Sequence, residues 1–106
     1  MNVEFEYVYR DLGNFKNYSS VIFGNQNNLR VEEIHRRVSQ ILGNDPTFYA
    51  SLVGIPEMFF QQFPYDPELD WPMHEYSGVS ETEMSVSDAK RRDIEELLLQ
   101  LRNAAK

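Results

Sequence analysis

The first ten residues, MNVEFEYVYR, alternate without a break. Val3, Phe5, Tyr7 and Tyr9 fall on one side, and Asn2, Glu4, Glu6 and Arg10 on the other. Period two sends successive side chains to opposite faces of a strand, and aromatic and β-branched residues suit a half-buried sheet surface. A chain that opens this way must supply a second strand to pair the first and an apolar layer to cover its dry face.

The expected pairing strand is Tyr18 to Phe23, joined to the first through the turn-type run Asp11-Leu12-Gly13-Asn14 as an antiparallel hairpin. Residues 24–28 break the strand and offer helix caps. Residues 29–42 read as a helix. Val31, Ile34, Val38, Ile41 and Leu42 repeat at helical spacing, Glu32–Arg36 and Glu33–Arg37 are spaced to pair, and Gly43-Asn44 then Asp45-Pro46 stop it. Residues 47–53, TFYASLV, read as a third strand, and Pro56 to Gln62 as a short helix opened by its proline. His74 to Val79 reads as an edge strand. Residues 86–105 read as a second long helix, capped by Ser85 or Ser87 with Asp88 in its first turn, Arg91–Glu95 and Arg92–Glu96 at pairing distance, and a stripe of Ile94, Leu97, Leu98, Leu101 and Ala105. The expected fold is α+β, in the order ββαβ(α)βα. It is a small antiparallel or mixed sheet of three to four strands with two main helices. The chain of 106 residues is one domain by size, with 42% hydrophobic and 13% aromatic residues to fill its core and an irregular acidic connection at about 64–85.

Charge is distributed unevenly. Between Pro64 and Asp88 stand Asp66, Glu68, Asp70, Glu75, Glu81, Glu83 and Asp88, with no lysine or arginine. The stretches before and after carry −2 and +2 and cancel, so this segment accounts for the whole net charge of −7. Such a balance opposes binding to nucleic acid or an anionic membrane, both of which need basic residues, and favours a basic protein partner. The absence of cysteine excludes disulfides and thiolate chemistry, and fits a cytoplasmic setting. Acids stand where a leader would carry bases, and no apolar run approaches a membrane span.

No motif names a reaction. The sequence lacks HExxH, an EF-hand loop, GxGxxG, GxxxxGK[ST] and a GxSxG elbow, so no residue set is assigned as catalytic and no cofactor is expected. Asp66, Asp70 and His74, in YDPELDWPMHEY, are the only grouping with metal-ligand chemistry, and their spacing fits no known signature. His35, on the first helix, reads as a surface histidine. Tyr7, Tyr9, Phe15, Tyr18 and Phe23 on the hairpin read as core rather than as a base-stacking platform, since only Arg10 and Lys16 are near.

The reading these features favour is a protein-interaction module. Tyr65, Asp66, Glu68, Asp70, Trp71, Glu75 and Tyr76 would meet a basic partner, with Met73 adding apolar contact, as small immunity proteins, antitoxins and inhibitors do by size and charge alone. The alternatives are a small ligand held between sheet and helices, or a metal-dependent site at Asp66, Asp70 and His74. Leu99 falls off the stripe of the last helix, which makes that helix a candidate homodimer surface.

Overall fold

The structure, a computed structural model, describes residues 1–11, 13–59 and 72–104. Its elements are β1 (Asn2–Arg10), β2 (Lys16–Phe23), α1 (Val31–Leu42), β3 (Thr47–Phe48), α2 (Ala50–Val53), β4 (His74–Thr82) and α3 (Ile94–Ala104). The four strands form one antiparallel sheet in the order β2-β1-β4-β3. The expected α+β class holds.

The alternation that opens the sequence puts β1 at the sheet's centre. Val3, Phe5, Tyr7 and Tyr9 are buried, as expected. Phe5 is the hub of the aromatic core: its ring meets Tyr76 at 5.3 Å, Phe48 at 6.0 Å and Phe23 at 6.5 Å, the last two edge-on. Rings prefer such tilted contacts over face-to-face stacks, because the positive edge of one meets the negative face of another. Ile34, Val38 and Leu42 from α1, and Ile94, Leu97, Leu98 and Leu101 from α3, join the same core. Each such side chain contributes roughly 1.5–3 kcal/mol by leaving water.

β4 changes face halfway along. Phe5 pairs with Val79 and Glu6 with Gly78, but Tyr7 pairs with Tyr76, so Ser77 is an extra residue. Before this bulge the even-numbered residues His74 and Tyr76 face the helices; after it, Val79 does. Gly78 sits at φ 155° directly after the extra residue, a conformation that side chains rarely adopt.

Several expectations are corrected, and the first concerns the hairpin: Phe15 and Tyr18, read as core, are exposed. Residues 47–53 are not one strand: β3 ends at Phe48 and α2 follows, closed by Gly54 in the left-handed conformation. Residues 56–59 are not helical, and 60–62 lie outside the described residues. The last helix starts at Ile94, not at 86, because Asp93 caps it. Its carboxylate accepts the Glu95 N–H at 3.1 Å, while Glu96 reaches back to the Asp93 N–H at 3.0 Å, a reciprocal capping box. Asp93 also takes the Gln26 N–H at 2.7 Å, which ties the cap to the loop after β2. β4 also differs from expectation: its first two residues lie between β1 and β3, and only the remainder is an edge.

Arg92, expected in that helix, instead stands in the connection before it and is almost fully buried. Its guanidinium bonds both oxygens of Asp88, at 2.9 and 3.0 Å, and donates to the carbonyls of Val53 at 2.7 Å and Gly54 at 3.1 Å. It also lies 5.5 Å from the Phe23 ring centre. The last carbonyls of α2, which a helix leaves without partners, are thus satisfied from across the fold. Burial alone would push the Asp88 carboxyl upward, but the hydrogen bonds and charge of Arg92 outweigh it and hold the group below the usual carboxylate range.

Removing one partner of a buried pair strands the other charge. Asp88→Ala is therefore expected to lower the unfolding free energy by about 3 kcal/mol, measured by urea denaturation. Adding Arg92→Met should recover part of that loss, and strict additivity of the two losses would show that the pair is not coupled.

Candidate functional site

The acidic segment is only partly described. Tyr65, Asp66, Glu68, Asp70 and Trp71 lie outside the described residues. His74, Glu75 and Tyr76 open β4, and the pleat separates them. Glu75 faces the side of the sheet away from the helices, where Arg10 pairs with it at 3.3 Å. Tyr76 points to the core side, half-buried, its ring against Phe5 and its hydroxyl 2.8 Å from Nδ1 of His35. Burial, with the nearby Glu6 charge, pushes the Tyr76 hydroxyl up to about 12. His35 is thus exposed, as expected, but committed to β4.

His74 is fully buried in a cage of rings, with Tyr9 at 5.1 Å, Phe59 at 5.4 Å, Tyr7 at 5.9 Å and Phe48 at 6.5 Å. Its Nε2 accepts the Met58 N–H at 2.8 Å. The neutral ring therefore carries its proton on Nδ1, and that N–H meets no acceptor among the described residues. Burial pushes the imidazole down to about 4. The ring also acts as a fastener. Together with the Tyr7 hydroxyl on the Pro56 carbonyl at 2.7 Å and the Asn17 amide on the Met58 carbonyl at 3.0 Å, it holds residues 56–58 against β1, β2 and β4. No group of three metal-binding side chains forms among the described residues.

Of the remaining acids in the segment, Asp88 is buried against Arg92, whereas Glu81 and Glu83 are exposed. Sequence reasoning also missed an apolar hollow of about 200 Å³ beside β3. Leu42, Phe48, Tyr49, Leu52, Met73 and Leu101 line it, and Thr47 turns its hydroxyl away to Asp45 at 2.8 Å. Tyr49 and Leu52 remain 42% and 54% exposed at this site. The hollow exists because the chain turns into α2 after Phe48, a turn that the apolar pattern of residues 47–53 does not announce. No protein-family model, curated protein or solved structure matches the chain.

The buried histidine makes stability depend on pH. In the fold His74 stays neutral down to about pH 4, while in the unfolded chain it takes a proton near 6.5. Between these values the unfolded state binds more protons, so stability is complete above about pH 6.5 and falls on acidification towards pH 4. The expected loss is about 2–3 kcal/mol. Urea denaturation at several pH values should show a steeper fall for the native chain than for His74→Phe; equal slopes would contradict the assignment.

Proposed function

We propose that the chain is a small acidic interaction module, immunity-, antitoxin- or inhibitor-like, that acts in the cytoplasm by binding a basic protein. One observation carries this reading. The segment from Pro64 to Asp88 contains no lysine or arginine, and the carboxylates at the exit of β4, Glu81 and Glu83, are exposed and form no ion pair among the described residues, although Arg30 lines the same surface hollow as Glu81. Uncompensated exposed acids raise the rate at which a basic surface finds its orientation, and nearby apolar side chains then hold it. Glu81 and Glu83 lead the proposed contact set, which also takes in Tyr65, Asp66, Glu68, Asp70, Trp71, Glu75 and Tyr76 of the acidic segment, with Tyr49 and Leu52 added by their exposure. Leu99, 56% exposed on the outward side of α3, supports a homodimer through that helix as a further assembly.

A second reading has its own support. The hollow beside β3 has the size and apolar lining to take a small uncharged ring compound. Thermal unfolding with indole or benzene tests it: Ala104 also lines the hollow, so a rise in midpoint that Ala104→Phe abolishes is the expected result, and no shift removes the reading.

For the interaction reading, tagged protein is used to recover partners at about 0.05 M and about 0.5 M salt. The expected partner is basic, is lost at the higher salt, and is recovered poorly by a Glu81→Lys, Glu83→Lys chain. Recovery that ignores both salt and charge reversal would refute it.

A further inference from the structure

Both long edges of the sheet differ in how they end. On the outer side of β2, the chain after β4 folds back: Ser87 takes the Ile22 N–H at 2.8 Å, and the Ser87 and Asp88 amides bond the Ile22 carbonyl. Lys16 stands at the other end of that edge, a charge of the kind that discourages further pairing. On the outer side of β4, β3 covers only His74 and Glu75, and Pro46, whose carbonyl accepts the Tyr76 N–H at 2.9 Å, has no N–H with which to continue the ladder.

Beyond Pro46 no described strand pairs with this edge. Since Ile22 directs its backbone groups outward, its partner Glu4 bonds towards β4, and the alternation of an antiparallel ladder turns Val79 and Glu81 away from β1. No described backbone group meets Val79 or Glu81 from that side. We infer that the edge from Ser77 to Thr82 receives an extended, lysine- or arginine-bearing peptide segment of a partner as a fifth strand. The inference rests on the interaction reading above and gives it a binding mode: main-chain bonds to Val79 and Glu81 supply the affinity, and Glu81 and Glu83 select the charge. A second copy of β4 is a poorer occupant, because pairing two such edges crowds four carboxylates into one small interface.

The probe is a synthetic peptide of about six residues alternating lysine and valine, with a glutamate-for-lysine peptide beside it. Amide exchange is followed by NMR on the whole chain. The lysine peptide should slow exchange at Val79 and Glu81 about tenfold or more, and the glutamate peptide should not. Glu81→Lys with Glu83→Lys should weaken binding about tenfold, and Val79→Pro, which removes the outward N–H, should abolish it. The charge variant leaves the core untouched, so it decides the matter if the proline variant does not fold. Absence of binding overturns the inference, as does protection at Lys16–Ser20 or at Tyr49 and Leu52 instead of at β4. So does protection that appears without peptide and grows with protein concentration, which would mark self-pairing. If a basic protein is recovered in a salt-sensitive manner but leaves Val79 and Glu81 exchanging freely, strand addition fails while the interaction reading stands. If neither protein nor peptide binds, both fail.

Discussion

The Arg92 guanidinium is the contact on which the rest of the architecture depends. It joins parts of the chain that share no local reason to meet: the carbonyls that end α2, the carboxylate of Asp88, and the Phe23 ring at the end of β2. Arginine suits this position because its planar fork bonds a carboxylate with two nitrogens and still has donors left for carbonyls. With α2 fixed there, Gly54 turns the chain towards Pro56, and residues 56–58 can lie where Tyr7, Asn17 and His74 hold them. Asp88 and Arg92 also fix the course of the connection into α3, so that Asp93 arrives beside the loop after β2 and caps the helix there. Tertiary contacts thus decide the short elements, while the long ones follow their own patterns.

The same distinction explains what could be read from the residues. β1, α1 and the stripe of α3 were legible because burial on one face writes a period into the sequence, and Val3, Phe5, Tyr7, Ile34, Val38, Leu97 and Leu101 all keep it. Residues 47–53 misled because their aromatic and β-branched content favours a strand, while Arg92, far along the chain, caps the carbonyls that make a helical turn stable. The start of α3 was legible in principle: Asp93 followed by Glu96 ahead of an apolar run is a capping-box pattern, more specific than the serines before it. The burial of His74 was not. The extra residue at Ser77 shifts the parity of β4, so a single alternation carried through the strand puts one half on the wrong face.

The acidic segment divides in the same terms. Its charge is visible in the sequence, but the use of each carboxylate depends on neighbours that are distant along the chain. Asp88 belongs to the core, Glu75 to Arg10, and Glu81 and Glu83 to solvent. Net charge therefore overstates what the described surface offers a partner, and the proposed contact narrows to the exit of β4 and the groups around it. The backbone arrangement there matters as much as the charge, because an acidic stretch without a free strand edge would attract a basic chain without orienting it.

The position of β1 has a consequence for how the molecule is made. Its two neighbours arrive at very different times: β2 follows within a short turn, whereas Asn2 finds Thr82 only after most of the chain has been synthesised. During translation the nascent hairpin displays an aromatic flank, with Phe5 and Tyr7, that has neither β4 beside it nor α3 above it. Ladders closed over such long loops form slowly, and an unfinished hydrophobic edge is a template for mispairing. Glu4 and Glu6, which interrupt the aromatics along β1, place like charges on neighbouring ribosome products and discourage that encounter until the missing strand emerges.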